Sequence, residues 1–119
     1  MTLKVKTTIF PFRISLQGKE TWELQIEIEN ADPKPKKGSL RVELPEQATF
    51  KNVGQATLLE KQFDHIKPNE KIMVKETIYP SRIAEPGNFV GTARVAEHYQ
   101  DYDYVIKESK SEFAIRLVK

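Results

Sequence analysis

Trp22-Glu23-Leu24-Gln25-Ile26-Glu27-Ile28-Glu29-Asn30 is the stretch that decides the fold. Trp22, Leu24, Ile26 and Ile28 fall on one side of an extended chain, and Glu23, Gln25, Glu27 and Glu29 on the other. A period of two, with apolar residues on one side and charge on the other, marks a half-buried strand. One face has to pack against something, and the other stays in water.

The same rhythm extends outward in both directions. Leu3, Val5 and Ile9 predict a first strand over Met1 to Phe10. Pro11 cannot donate to a ladder, so it predicts an edge or a switch of sheet before Phe12, Ile14 and Leu16 resume the alternation. Downstream, Leu40, Val42 and Leu44 predict another strand after a loop spanning Asn30 to Gly38. A weaker strand over Thr57 to Ile66 has no fixed phase, because Leu58 and Leu59 are adjacent. Lys67-Pro68-Asn69-Glu70 reads as a turn. Ile72, Val74 and Ile78 follow in phase, with Glu76 on the apolar side, where a bulge or a place at the rim would let it reach water. Phe89, Gly91, Ala93 and Val95 predict one more strand, Tyr104 to Ile106 a short one, and Phe113, Ile115 and Leu117 the last. No apolar i, i+3, i+4, i+7 pattern lasts long enough for a helix. Strands of a parallel sheet covered on both faces would read as continuous apolar runs. These alternate, so the expected fold is a single all-β domain over residues 1–119, a sandwich of two antiparallel sheets with seven to eight strands. If the Trp22 strand neighbours the Ile72 strand, Glu23 and Glu27 face Lys71 and Lys75.

A chain of 119 residues can bury a core without metal or disulfide staples. It has no cysteine, which excludes disulfides, thiolate metal sites and thiol redox chemistry. Charged residues are 30%, mostly Lys and Glu, a composition like that of thermophile proteins. The net charge is only +2, which argues against a nucleic-acid partner. No run approaches the roughly 20 apolar residues of a membrane span. Met1 to Phe10 lacks the apolar core of a signal peptide. The expected location is therefore cytoplasmic for a full-length chain, and extracellular for a domain excised from a longer surface protein. Gly-x-Ser-x-Gly, phosphate-cradling glycine loops and catalytic cysteines are all missing, so the expectation is no enzyme and no cofactor.

Three segments carry a family resemblance: the strand end Ile28-Glu29-Asn30, the turn His65-Ile66-Lys67-Pro68-Asn69-Glu70, and Pro86-Gly87-Asn88-Phe89-Val90-Gly91-Thr92-Ala93-Arg94-Val95. They resemble immunoglobulin-like domains of the CARDB type (cell-adhesion-related domains of bacteria and archaea). In those domains a strand ends in Asn, an apolar-x-Pro-Gly/Asn-Glu turn follows, and a Gly-x-Tyr/Phe strand comes later. Val105-Ile106-Lys107-Glu108-Ser109-Lys110-Ser111 is similar to their Asn-rich stretch, with Ser109-Lys110-Ser111 where asparagines are common. The resemblance implies an immunoglobulin-like sandwich and an interaction or spacer role. Its alternative is a cell-surface or adhesion domain, with calcium dependence as an option.

Loops of an up-and-down sandwich alternate between its two ends, which places Asn30–Gly38, His65–Glu70 and His98–Asp103 together. That end carries the candidate binding residues His65, His98, Tyr99, Asp101, Tyr102 and Asp103, and the basic tip with Lys36 and Lys37. Tyrosines in a loop offer large, stiff contact area to a protein partner, though alternate tyrosines also suit a continued strand. His65, His98, Asp101 and Asp103 contain donors a metal could use, but Asp101-x-Asp103 lacks the glycine and later Glu of a calcium loop, and no metal is expected. The expected function is thus a non-enzymatic protein–protein interaction module. The first strand is a candidate edge for strand addition or for pairing two copies, unless Lys4 and Lys6 protect it.

Overall fold

A computed structural model describes residues 3–99 and 101–119 as an all-β fold. Its nine strands are β1 (Leu3–Phe10), β2 (Ile14–Ser15), β3 (Trp22–Asn30), β4 (Lys36–Glu43), β5 (Ala48–Thr49), β6 (Leu58–Ile66), β7 (Lys71–Pro80), β8 (Gly87–His98) and β9 (Val105–Val118). One sheet has the order β1-β3-β7-β5 and the other β2-β9-β8-β4-β6. Among the described residues, no helix is long and apolar enough to cross a membrane.

Alternation explains the packing. Trp22, Leu24, Ile26 and Ile28 of β3 are fully buried, and they meet Leu40, Val42, Val95, Ile115 and Leu117 from the other sheet in one core. Burying a side chain of this size stabilises the fold by about 1.5–3 kcal/mol. Opposite Gly91, the ring of Phe113 takes the place of the missing side chain: a Cβ on Gly91 would lie 2.4 Å from that ring. At Pro11 the chain does switch sheets. β1 pairs with β3 up to Phe10, and Ile14–Ser15 then pair with Leu117–Val118. This last pairing is parallel, unlike all the others, because the crossing chain keeps its direction.

Among the described residues the strands number nine where seven to eight were expected, because two two-residue strands add to the count, and two further expectations needed correcting. β3 neighbours β7, but two residues along from the expected register: Glu29 faces Lys71 and Gln25 faces Lys75, while Glu23 and Glu27 face Thr77 and Met73. The basic tip is not a loop either, since Lys36, Lys37 and Gly38 already belong to β4.

β6 and β7 lie at one flank, joined by the turn at 67–70. The ladder of β6 shifts between Phe63 and Ile66, where two residues oppose one. This bulge lets Phe63 and Ile66 both face inward, and of the adjacent Leu58 and Leu59 it is Leu59 that packs against the core while Leu58 is exposed. Glu76 stands opposite buried Leu24, in unbroken register and half-buried. Lys61 stands opposite buried Leu40. β6 is an edge strand, and so is β7 outside Tyr79 and Pro80, where β5 pairs with it; each turns one charge toward the core side near the rim, which discourages another strand from docking there. At the opposite flank Ser109 Oγ donates to the Leu3 carbonyl (2.9 Å), and Thr7 and Ser111 share a hydroxyl bond of 2.7 Å. Serines replace apolar residues in β9 where it meets β1, so Val105–Val118 is one strand rather than two.

Candidate functional site

The end predicted to collect three loops is built around Asn30, the last residue of β3, whose side chain is fully buried. Its Nδ2 donates to the carbonyls of Lys34 (2.9 Å), Ile66 (3.0 Å) and Lys67 (3.3 Å), and its Oδ1 accepts from the Asp32 amide. Its backbone bonds to Glu70 and Asn69 in the β6–β7 turn. That turn needs a left-handed residue at Asn69 (φ 62°), where Asn is among the better-tolerated side chains. One amide therefore holds two loops together.

Next to it is a group that the sequence reading missed. Glu97 is 5% exposed, on the inner side of β8 opposite Gly38. Its Oε1 lies 3.3 Å from Lys36 Nζ, which is also 3.4 Å from Asp32. Burial pulls the Lys36 ammonium down, but Glu97 and Asp32 outweigh it and its pKa sits above the ordinary value. The Lys34 amide, followed by the Lys36 charge, holds Asp32 below the usual carboxylate value. Gly38, opposite Glu97, lets Leu3 and Ile66 pack close, since a Cβ there would lie 2.7 Å from Leu3 Cδ1. The signal was present in the sequence: the inward phase of Phe89, Gly91, Ala93 and Val95 extends to Glu97. Lys36 is thus part of the scaffold.

On the outer face of the same strands lies a second cluster. His98 is 7% exposed, and its Nε2 lies 2.7 Å from Ser39 Oγ. Tyr102 folds back from the β8–β9 turn and sets its ring edge-on to His98 at 5.1 Å, with Lys37 Nζ 4.9 Å from the ring centre. Its hydroxyl donates to Asp64 (2.6 Å) on the β6 bulge. Burial and this carboxylate push the phenol up to about 12. Tyr102 is a latch between the hairpin turn and β6. Below it runs a groove of about 600 Å³, floored by Ser39 and Ala96 and lined by Arg41, Arg94 and Glu60.

Tyr99 and Tyr104 behave differently. The Tyr99 amide bonds to the Tyr104 carbonyl (3.0 Å), their rings meet edge-to-face at 6.4 Å, and they are 57% and 67% exposed. Val105 and Ile106 beside them are also exposed. Asp101 accepts the Asp103 amide in a local turn, and His65 is exposed on β6. Among the described residues no three acidic, His or Cys groups are placed to hold a metal ion. The Ser39–His98 pair resembles half of a nucleophile–base arrangement, but among the described residues no partner orients His98 Nδ1, as catalysis of that kind needs. Compared with known proteins, the chain matches no protein-family model and no curated protein.

Proposed function

We propose that this chain is an immunoglobulin-like module that binds another protein through the tip of its β8–β9 hairpin and catalyses no reaction. The strand orders support the immunoglobulin-like reading: β1-β3-β7 follow the A-B-E order of such sandwiches and β9-β8-β4-β6 the G-F-C-C′ order, while β5 comes before β6 in the chain and so takes the place beside β7 without being a D strand. The observation that carries the binding role is the contrast within one turn. Tyr102 is latched to Asp64, while Tyr99, Tyr104, Val105 and Ile106 stay exposed beside it. Large apolar and aromatic side chains on a stiff support make good contact centres, because little entropy is lost when a partner covers them.

The test is affinity capture from the source cell with wild-type chain and with the double variant Tyr99→Ala/Tyr104→Ala. A specific partner retained by the wild type should fall about tenfold or more with the variant, as expected when two aromatic anchors are removed. Equal capture by both would refute the tip as the binding surface.

A further inference from the structure

We infer that β9 is the edge through which two copies of this chain pair, antiparallel, about Ser109. This inference rests on the strand's own backbone, so it holds or fails apart from the tip reading. Val118 O accepts from Leu16 N–H on the β2 side, and Glu112 O accepts from the Thr7 hydroxyl at the same flank. Since carbonyls alternate along a strand, those of Glu108 and Lys110 also point to the flank, away from β8. Among the described residues, only β2 pairs with that edge, and only at Leu117 and Val118. Thr7 takes the outward carbonyl of Glu112, which leaves the edge without a partner strand at Glu108 and Lys110.

Charge selects the occupant. Across the outer face, one row of opposed residues reads Glu60, Arg41, Arg94 and Lys110. Arg41 and Arg94 are directly opposite, and so are Arg94 and Lys110, which is unfavourable. Arg94 is relieved by Glu108, whose Oε1 lies 3.6 Å from Arg94 Nη1. The row therefore ends in a cation at an open edge. A second copy, turned about Ser109, sets its own Glu108 opposite Lys110, and by symmetry its Lys110 opposite Glu108. A two-fold axis at Lys107, Glu108 or Lys110 would set like charges against each other. An axis at Ser111 also matches charges, but it would need the outward Glu112 carbonyl that Thr7 already occupies, and it leaves the exposed Val105 and Ile106 further from cover. Phase adds to this. The inward positions of β9 from Ser109 to Leu117 carry no charge, unlike those of β6 and β7 with Lys61 and Glu76. The device that guards one flank is absent from the other.

Sedimentation equilibrium of the full chain, with thermal melts as a fold control, tests the inference. The wild type should show a reversible, concentration-dependent dimer. Lys110→Glu should weaken it about tenfold or more, since two attractive pairs become repulsive. Glu108→Lys combined with Lys110→Glu should restore it, and it leaves a carboxylate beside Arg94. A wild type that stays monomeric up to the solubility limit overturns the inference. So does a dimer indifferent to Lys110→Glu, or one that the charge exchange does not restore.

Discussion

The two flanks of this sandwich solve the same problem by opposite means. At the β6–β7 flank the two edge strands stand apart, and each turns a charge, Lys61 or Glu76, toward the core side. At the β1–β9 flank the edges are stitched by hydroxyls, Ser109 to the Leu3 carbonyl and Thr7 to Ser111. A charge near the rim repels strangers at little cost while water still reaches it. A hydroxyl joins the sheets but leaves the outward backbone groups of Glu108 and Lys110 in β9 without a partner strand. The difference shows that closing a sandwich and protecting its edges are separate tasks, given to separate residues.

The comparison breaks most severely if the guarded flank loses its anchor. Asn30→Ala should cost about 2–4 kcal/mol, because several buried backbone groups lose their partners together. Chemical denaturation measures this, and a loss below about 1 kcal/mol would show that the loops hold without it. Next, Ser109→Ala and Thr7→Val should each cost about 1 kcal/mol, the worth of one part-buried hydrogen bond. Amide exchange should rise first in β1 and not in β7. A comparable rise in β7 would contradict a division of labour between flanks.

The latch that ties the hairpin turn to β6 gives a pH signature. Tyr102 is raised from 10.0 to about 12 in the fold, so the unfolded chain loses its proton first. Stability is then complete below pH 10 and falls as pH rises toward 12. Tyr102→Phe should flatten that limb relative to wild type, and an unchanged alkaline slope would mean the phenol is not held. The smallest expected effect on stability comes from Lys61→Ile with Glu76→Val, within about 1 kcal/mol for sites at the rim. Its readout is association: the variant should self-associate at concentrations where wild type does not, and by a route that Lys110→Glu leaves untouched.

Much of this fold was legible because alternation is a direct print of burial. Trp22, Ile26, Val95 and Ile115 point inward on strands as their phase requires. Legibility failed where geometry interrupts the period. Adjacent Leu58 and Leu59 hid the phase of β6, whose bulge at Asp64 and His65 then shifts it, and serines facing β1 made the start of β9 look like a separate short strand. The gathering of three loops at one end could be counted from topology. Which tyrosine is latched and which is free could not, because it depends on Asp64, a residue brought near only by the fold. Glu97 was hidden for the opposite reason: a charge at the end of an apolar phase reads as the end of a strand, and its partner Lys36 lies far away in sequence.

Gly91 and Phe113 share one volume, the ring lying where a methyl group on Gly91 would sit. The two positions are therefore not free to vary independently in descent. Gly91→Ala alone overfills the site, at a cost of about 1–3 kcal/mol, and Phe113→Leu alone empties it. Related chains should inherit the pair as a unit, a bulky residue at 113 going with glycine at 91 and a slimmer one with any side chain there.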